Sequence, residues 1–269
     1  MLKRLAGVLI LVSLLAGGPL YMWGFGGIDI HGDWRSADRS SMGLAPDPSR
    51  TQEAVVQVYS ARAFNWRGIF AVHAWVATKP EGAASYTLHQ VTGWGRPALS
   101  SRRGTPDRAW FGSSPTLHAT LCGSTAERAI ARIETLLPDY PYRDRYRAWP
   151  GPNSNTFVAW LIREVPELDV ALPSSAIGKD YLAEGVFAPT PSGTGVQFSL
   201  AGVLGAAIGW REGVELNLAG LVVGLEPAAL GVKLPGVGTL GLLSSAHGLG
   251  TEQCPPPRGR MSLAHVPVG

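Results

Sequence analysis

Two residues of types that carry out acyl transfer stand where a fold could bring them together, His73 and Ser154. His73 lies in Ala71-Val72-His73-Ala74-Trp75, and Ser154 in Trp149-Pro150-Gly151-Pro152-Asn153-Ser154-Asn155-Thr156-Phe157. An imidazole within hydrogen-bond reach of a hydroxyl can take its proton, and unused N–H groups at a helix start can hold the resulting oxyanion. A third group must orient the imidazole. His89, or its neighbour Gln90, is the candidate, and His89 shares the His73 face only if strand register allows it. Asn153, Asn155, Thr156, Trp75 and Trp149 are the side chains that would line a groove beside the pair. Each also has a plainer role. Asn153 or Ser154 is a natural helix N-cap, and tryptophans are core residues by default.

Other chemistries lack their residues. Cys122 and Cys254 match no metal spacing, no H-E-x-x-H occurs, and no metal site is expected. The glycines form no G-x-G-x-x-G after a strand in a βαβ unit, so neither nucleotide nor any other cofactor is expected. Formal net charge is only +3, and the basic residues are scattered apart from Arg102-Arg103 and the Arg143–Arg147 cluster. Nucleic acid is therefore a poor partner. The two cysteines could form one disulfide in an oxidising compartment or both stay free.

Elements must position these groups. The chain has 269 residues, charged residues are only 16%, and there are 34 glycines and 21 prolines, which describes many short elements and turns. Lys3 and Arg4 precede an apolar run from Leu5 to about Phe25, closed by Tyr21, Trp23 and Phe25. A positive start and a short apolar core also describe a signal peptide, but no clear A-x-A cleavage site follows. The run is therefore read as a signal anchor over 1–26, a single transmembrane helix with the body in the periplasm and the anchor in the inner (cytoplasmic) membrane. Residues 27–52 read as a polar linker.

Strands are predicted at 54–59, 69–78 and 86–92, the last two as a hairpin, with loop from Trp94. Ser124–Leu137 reads as a helix with a Ser124/Glu127 capping box, stopped by Pro138. Pro150 and Pro152 around Gly151 make a rigid turn into a second helix that ends near Val165-Pro166. From Gly195, short apolar segments broken by glycine predict antiparallel strands at 196–200, 203–210, 214–218, 221–225 and 232–234. Residues 247–269 read as an extended tail.

The order of a histidine on a strand, a polar residue on the next strand and Asn153-Ser154-Asn155-Thr156-Phe157 at a helix start resembles circularly permuted NlpC/P60-type, papain-like proteins. Their nucleophile helix often carries Asn-Cys-Asn-His-Phe, so serine stands here in place of cysteine. Phe64-Asn65-Trp66-Arg67-Gly68, Ala71–Trp75, Trp149–Phe157, Ala176-Ile177-Gly178-Lys179-Asp180 and Ser192-Gly193-Thr194-Gly195 together resemble a proteobacterial, membrane-anchored family of unknown function. The resemblances imply an α+β fold in which a permuted papain-like antiparallel sheet packs on helices over 53–172. A Gly-rich β-extension over 173–246 packs on this core.

Serine is a far weaker nucleophile than a thiolate, so three roles are open to Ser154: nucleophile, remnant, or helix cap. The function expected is a membrane-anchored envelope protein, either a Ser/His hydrolase or acyltransferase on a peptide, peptidoglycan or lipid bond, or a non-catalytic binder or scaffold. Its partners would be the membrane, through the N-terminal helix, and a cell-wall or lipid ligand.

Overall fold

The computed structural model describes residues 2–243 and Cys254, so the tail reading over 247–269 falls outside it apart from that cysteine. Helix α1 spans Leu2–Phe25. The first sheet follows: β1 (Val55–Arg62), β2 (Val72–Lys79), β3 (Tyr86–Val91), β4 (Leu99–Gly104) and β5 (Thr116–Cys122), then α2 (Gly123–Leu136) and α3 (Ser154–Glu164). A second sheet holds β6 (Phe187–Pro189), β7 (Gly195–Leu200), β8 (Leu204–Gly209), β9 (Gly213–Leu218), β10 (Leu221–Glu226), β11 (Gly231–Leu234) and β12 (Gly238–Gly241). This is a mixed α and β architecture with two antiparallel sheets.

The transmembrane helix expected from the sequence is corrected. Among the described residues no helix is long and apolar enough to cross a membrane. The C-terminal turns of α1 are instead packed on protein. A Cβ on Gly18 would lie 2.0 Å from the Pro235 carbonyl oxygen, one on Gly236 would lie 3.4 Å from Pro19 N, and Met22 is buried beside Arg62.

The first sheet runs in the order β4-β3-β2-β1-β5. β1 and β2 have both faces covered, so their sequences read as nearly continuous apolar runs. Val56, Val58, Val72, Ala74 and Val76 point to one face and pack with α2 and α3. There Phe157, Val158, Leu161 and Ile162 are buried, each contributing about 1.5–3 kcal/mol. Tyr59, Trp75, Tyr86 and Trp110 occupy the other face.

The segment over 27–52 closes that second face and is tied down. Asp107 accepts from Ser41 Oγ at 2.8 Å and Leu44 N at 2.6 Å, and Tyr86 Oη donates to Pro46 O at 2.9 Å. Cys122 and Cys254 form a disulfide, with Cα atoms 5.5 Å apart.

Four strands were hidden in the sequence: the two outer strands of the second sheet, β6 and β12, and two of the first sheet, β4 and β5. β4 is an exposed edge strand with serines and arginines, held by its pairing with β3, and β5 is an eccentric partner of β1 with a bulge at Val58/Tyr59. The Ser124 capping box is also absent: α2 starts at Gly123 with Cys122 as N-cap and no side-chain cap.

The second sheet is a seven-stranded antiparallel meander, and its sidedness is inverted. The register aligns Val196, Ile208, Val214, Leu225, Val232 and Leu240 in one row across the strands, facing outward. The next row, Gln197, Ala207, Glu215, Gly224, Lys233 and Thr239, faces the body. Polar groups are inside and apolar groups outside. Glu215 lies between Lys179 (2.7 Å) and Lys233 (2.7 Å), and Lys233 also pairs with Glu226 at 3.0 Å. Burial pushes the Glu215 carboxyl up, but the two ammonium groups outweigh it and hold it below its ordinary value.

Candidate functional site

The Pro-Gly-Pro turn delivers Asn153 into the N-cap of α3. Its Oδ1 accepts from Asn155 N (2.9 Å) and Thr156 N (3.2 Å), and Thr156 Oγ1 accepts from Asn153 N (3.1 Å), which closes a capping box. The same side chains reach beyond the helix. Asn153 Nδ2 donates to Ala148 O and Ile177 O, Asn155 Nδ2 to Val72 O and Ile177 O, and Thr156 Oγ1 to Gly178 O. Gly178 has φ +90°, and a Cβ there would stand 2.6 Å from Asn153 Nδ2, so only glycine fits against the cap. The motif thus clamps three segments: the start of β2, the start of α3 and the Ile177-Gly178 loop.

That loop leads directly into the second sheet. Lys179 Nζ donates to Leu172 O (3.1 Å) and to Glu215, while Asp180 accepts from Asn217 Nδ2 at 2.6 Å. Desolvation raises the Asp180 carboxyl above its ordinary value, and the Asn217 bond only partly offsets it. Lys179, buried, and Asp180, half-buried, form the joint between the two sheets.

His73 is on the other face of the first sheet from α3. Its ring stacks on Trp110 at 3.7 Å and 8° and lies 5.9 Å from Trp75, on the face away from Val72, Ala74 and the helix. Its Nε2 is 3.2 Å from Gln90 Oε1; a carbonyl oxygen only accepts, so Nε2 carries the proton and donates. Burial pushes the imidazole down to about 3, Arg108 adds to this and the Gln90 bond opposes it.

The catalytic set His73, Ser154 and His89 is therefore not assembled. Ser154 is buried at the α3 start on the opposite side of the sheet from the His73 ring. His89 pairs with Val76, faces away from His73, and bonds Thr78 Oγ1 (2.9 Å) and Ser101 Oγ (2.8 Å). Gln90, the alternative orienting group, is the one that meets His73. Neither of two cavities, about 340 and 480 Å³, is lined by His73 or Ser154; both lie along the 27–52 segment.

Of the groove residues, Asn153, Asn155 and Thr156 are buried in the clamp, and Trp75 is buried with its Nε1 on Pro106 O. Trp149 alone is exposed, with its Nε1 donating to Ala219 O at the β9–β10 turn. A serine–histidine pair does exist elsewhere: Ser60 Oγ and His118 Nε2 are 2.8 Å apart, both buried. His118 sits at the β5 bulge rather than in a loop, and the absence of alternation around it hid the strand. Among the described residues no cluster of histidine, cysteine and carboxylate could hold a metal.

Residues 53–181 match the family model for a protein of unknown function (DUF3750). The match ends one residue past Asp180, so it contains the clamp and the two charged residues of the joint. Their partners Glu215 and Asn217 lie beyond it. Neither a curated protein nor a solved structure matches the chain.

Proposed function

We propose that this chain is a non-catalytic scaffold or binding protein of the cell envelope, working at a membrane surface. The observation that carries the reading is the engagement of Asn153, Asn155 and Thr156 by backbone carbonyls of the chain itself, which makes the motif a joint rather than a substrate site. A neutral, stacked His73 on the far face of the sheet supports it. The Cys122–Cys254 disulfide supports an oxidising compartment such as the periplasm. Papain-like descent, with Ser154 at the nucleophile position, belongs to this reading as a degenerate form in which the architecture is kept and the chemistry lost.

A serine-directed fluorophosphonate tests it on the purified full chain. Labelling is expected to equal that of Ser154→Ala. Labelling that requires both Ser154 and His73 would overturn the reading.

A further inference from the structure

We propose that the outward face of the β6–β12 sheet is a seat for the acyl layer of an anionic phospholipid leaflet. This rests on the membrane-surface part of the proposed function. None of the outward positions of the seven strands carries a charge, whereas Gln197, Ser199, Glu215, Asn217, Glu226 and Lys233 are all turned inward and buried. A water-exposed sheet has the opposite arrangement, polar out and apolar in. Seven strands at ~4.8 Å make the apolar field about 30 Å wide, more than a soluble monomer normally leaves uncovered. Strands of 3–6 residues are shorter than the roughly 9–11 needed to cross a bilayer, so the field fits one leaflet.

Lipid is favoured over a second copy of the chain for two reasons. Helix α1 touches β10 and β11 and adds further exposed apolar side chains, Leu5, Leu9, Val12 and Leu14. One flat partner sheet would not cover both. The rim of the sheet is also aromatic and basic. Trp149 bonds the β9–β10 turn, Arg145 and Arg147 are exposed just before it in the chain, and exposed Trp66 and Arg67 lie on the 3-10 turn Asn65–Ile69 that α1 touches. Asp144 is the one acid within the arginine cluster. Trp210 and Phe187 stand exposed on the far turn and edge. Tryptophan and arginine at a rim suit the headgroup layer, and two such basic rims would repel each other in a symmetric pair.

The test is flotation of the full chain with vesicles of phosphatidylcholine alone or with about a third phosphatidylglycerol, such a charge density being enough to attract basic rims. Three chains are compared: unaltered, Ile208→Glu/Leu216→Glu, and Arg145→Glu/Arg147→Glu. The unaltered chain is expected to float best with the anionic vesicles. The sheet variant should need about tenfold more lipid or worse, and the rim variant should lose the preference for phosphatidylglycerol. A sheet variant that floats like the unaltered chain overturns the inference and leaves membrane association to α1. Failure of the unaltered chain to float removes both. A dimer in light scattering that the sheet variant dissociates, without flotation, assigns the face to a second copy instead. If the double variant does not fold, quenching by brominated phospholipid decides: Trp210→Phe must reduce it, and an unchanged quench overturns the inference.

Discussion

Asn153 holds two helix N–H groups with its oxygen and two carbonyls with its nitrogen, so its loss should be felt far more than that of its neighbour. Asn153→Ala is expected to lower unfolding free energy by about 2–4 kcal/mol, and Ser154→Ala by less than about 1, read by urea denaturation. Gly178→Ala strains the same joint from the other side and should cost about 2–3 kcal/mol. The buried histidines set the acid response. His73 and His89 are pushed down by burial to about 3 and about 4, against ~6.5 in an unfolded chain. Below pH ~6.5 the unfolded chain takes up protons that the folded one refuses, so their contribution is complete above that pH and is lost toward each folded value. Urea midpoints should fall from pH 7 to pH 5, with a slope of up to about 1.4 kcal/mol per pH unit for each histidine. His73→Phe, which keeps a ring on Trp110, should flatten that fall.

At the scale of elements, the decisive contact is the pair of lysines on Glu215. Glu215→Leu leaves Lys179 and Lys233 buried against one another and is expected to cost about 3–5 kcal/mol, in the same denaturation assay. How much was legible follows from what each element depends on. α3 was readable because its cap, its Pro-Gly-Pro lead and Pro166 are all local signals. β7 to β11 were readable because glycines punctuate them. β4 was not, since its only reason to be a strand is β3 beside it, and β5 was broken by a bulge. Alternation in Val214-Glu215-Leu216-Asn217-Leu218 gave the strand but could not say which side faces in. That choice is made by Lys179 and Asp180, some 35 residues away in sequence, which need Glu215 and Asn217 as partners. The same non-locality explains the site: His73, His89 and Ser154 were compatible as residue types, and the two-residue repeat of the sheet separated them.

For the molecule as a whole, one bond joins the distant parts. Cys122 ends β5 in the first sheet, and Cys254 follows the last strand of the second, a separation of 132 residues. Reduction, or Cys254→Ser, is expected to lower stability by about 2–5 kcal/mol, seen as a lower denaturation midpoint. The second sheet, the start of α3, the Ile177-Gly178 loop and the Lys179–Asp180 joint all lie between these two cysteines, whereas Val72, which the clamp holds on β2, lies before them. The backbone from β5 to β12 is therefore a closed covalent ring, and a single cut in the exposed Ala183–Val186 stretch cannot release a fragment from it. A nicked molecule would run as one band without reductant and two with it, and would keep its second sheet tethered wherever thiols stay oxidised.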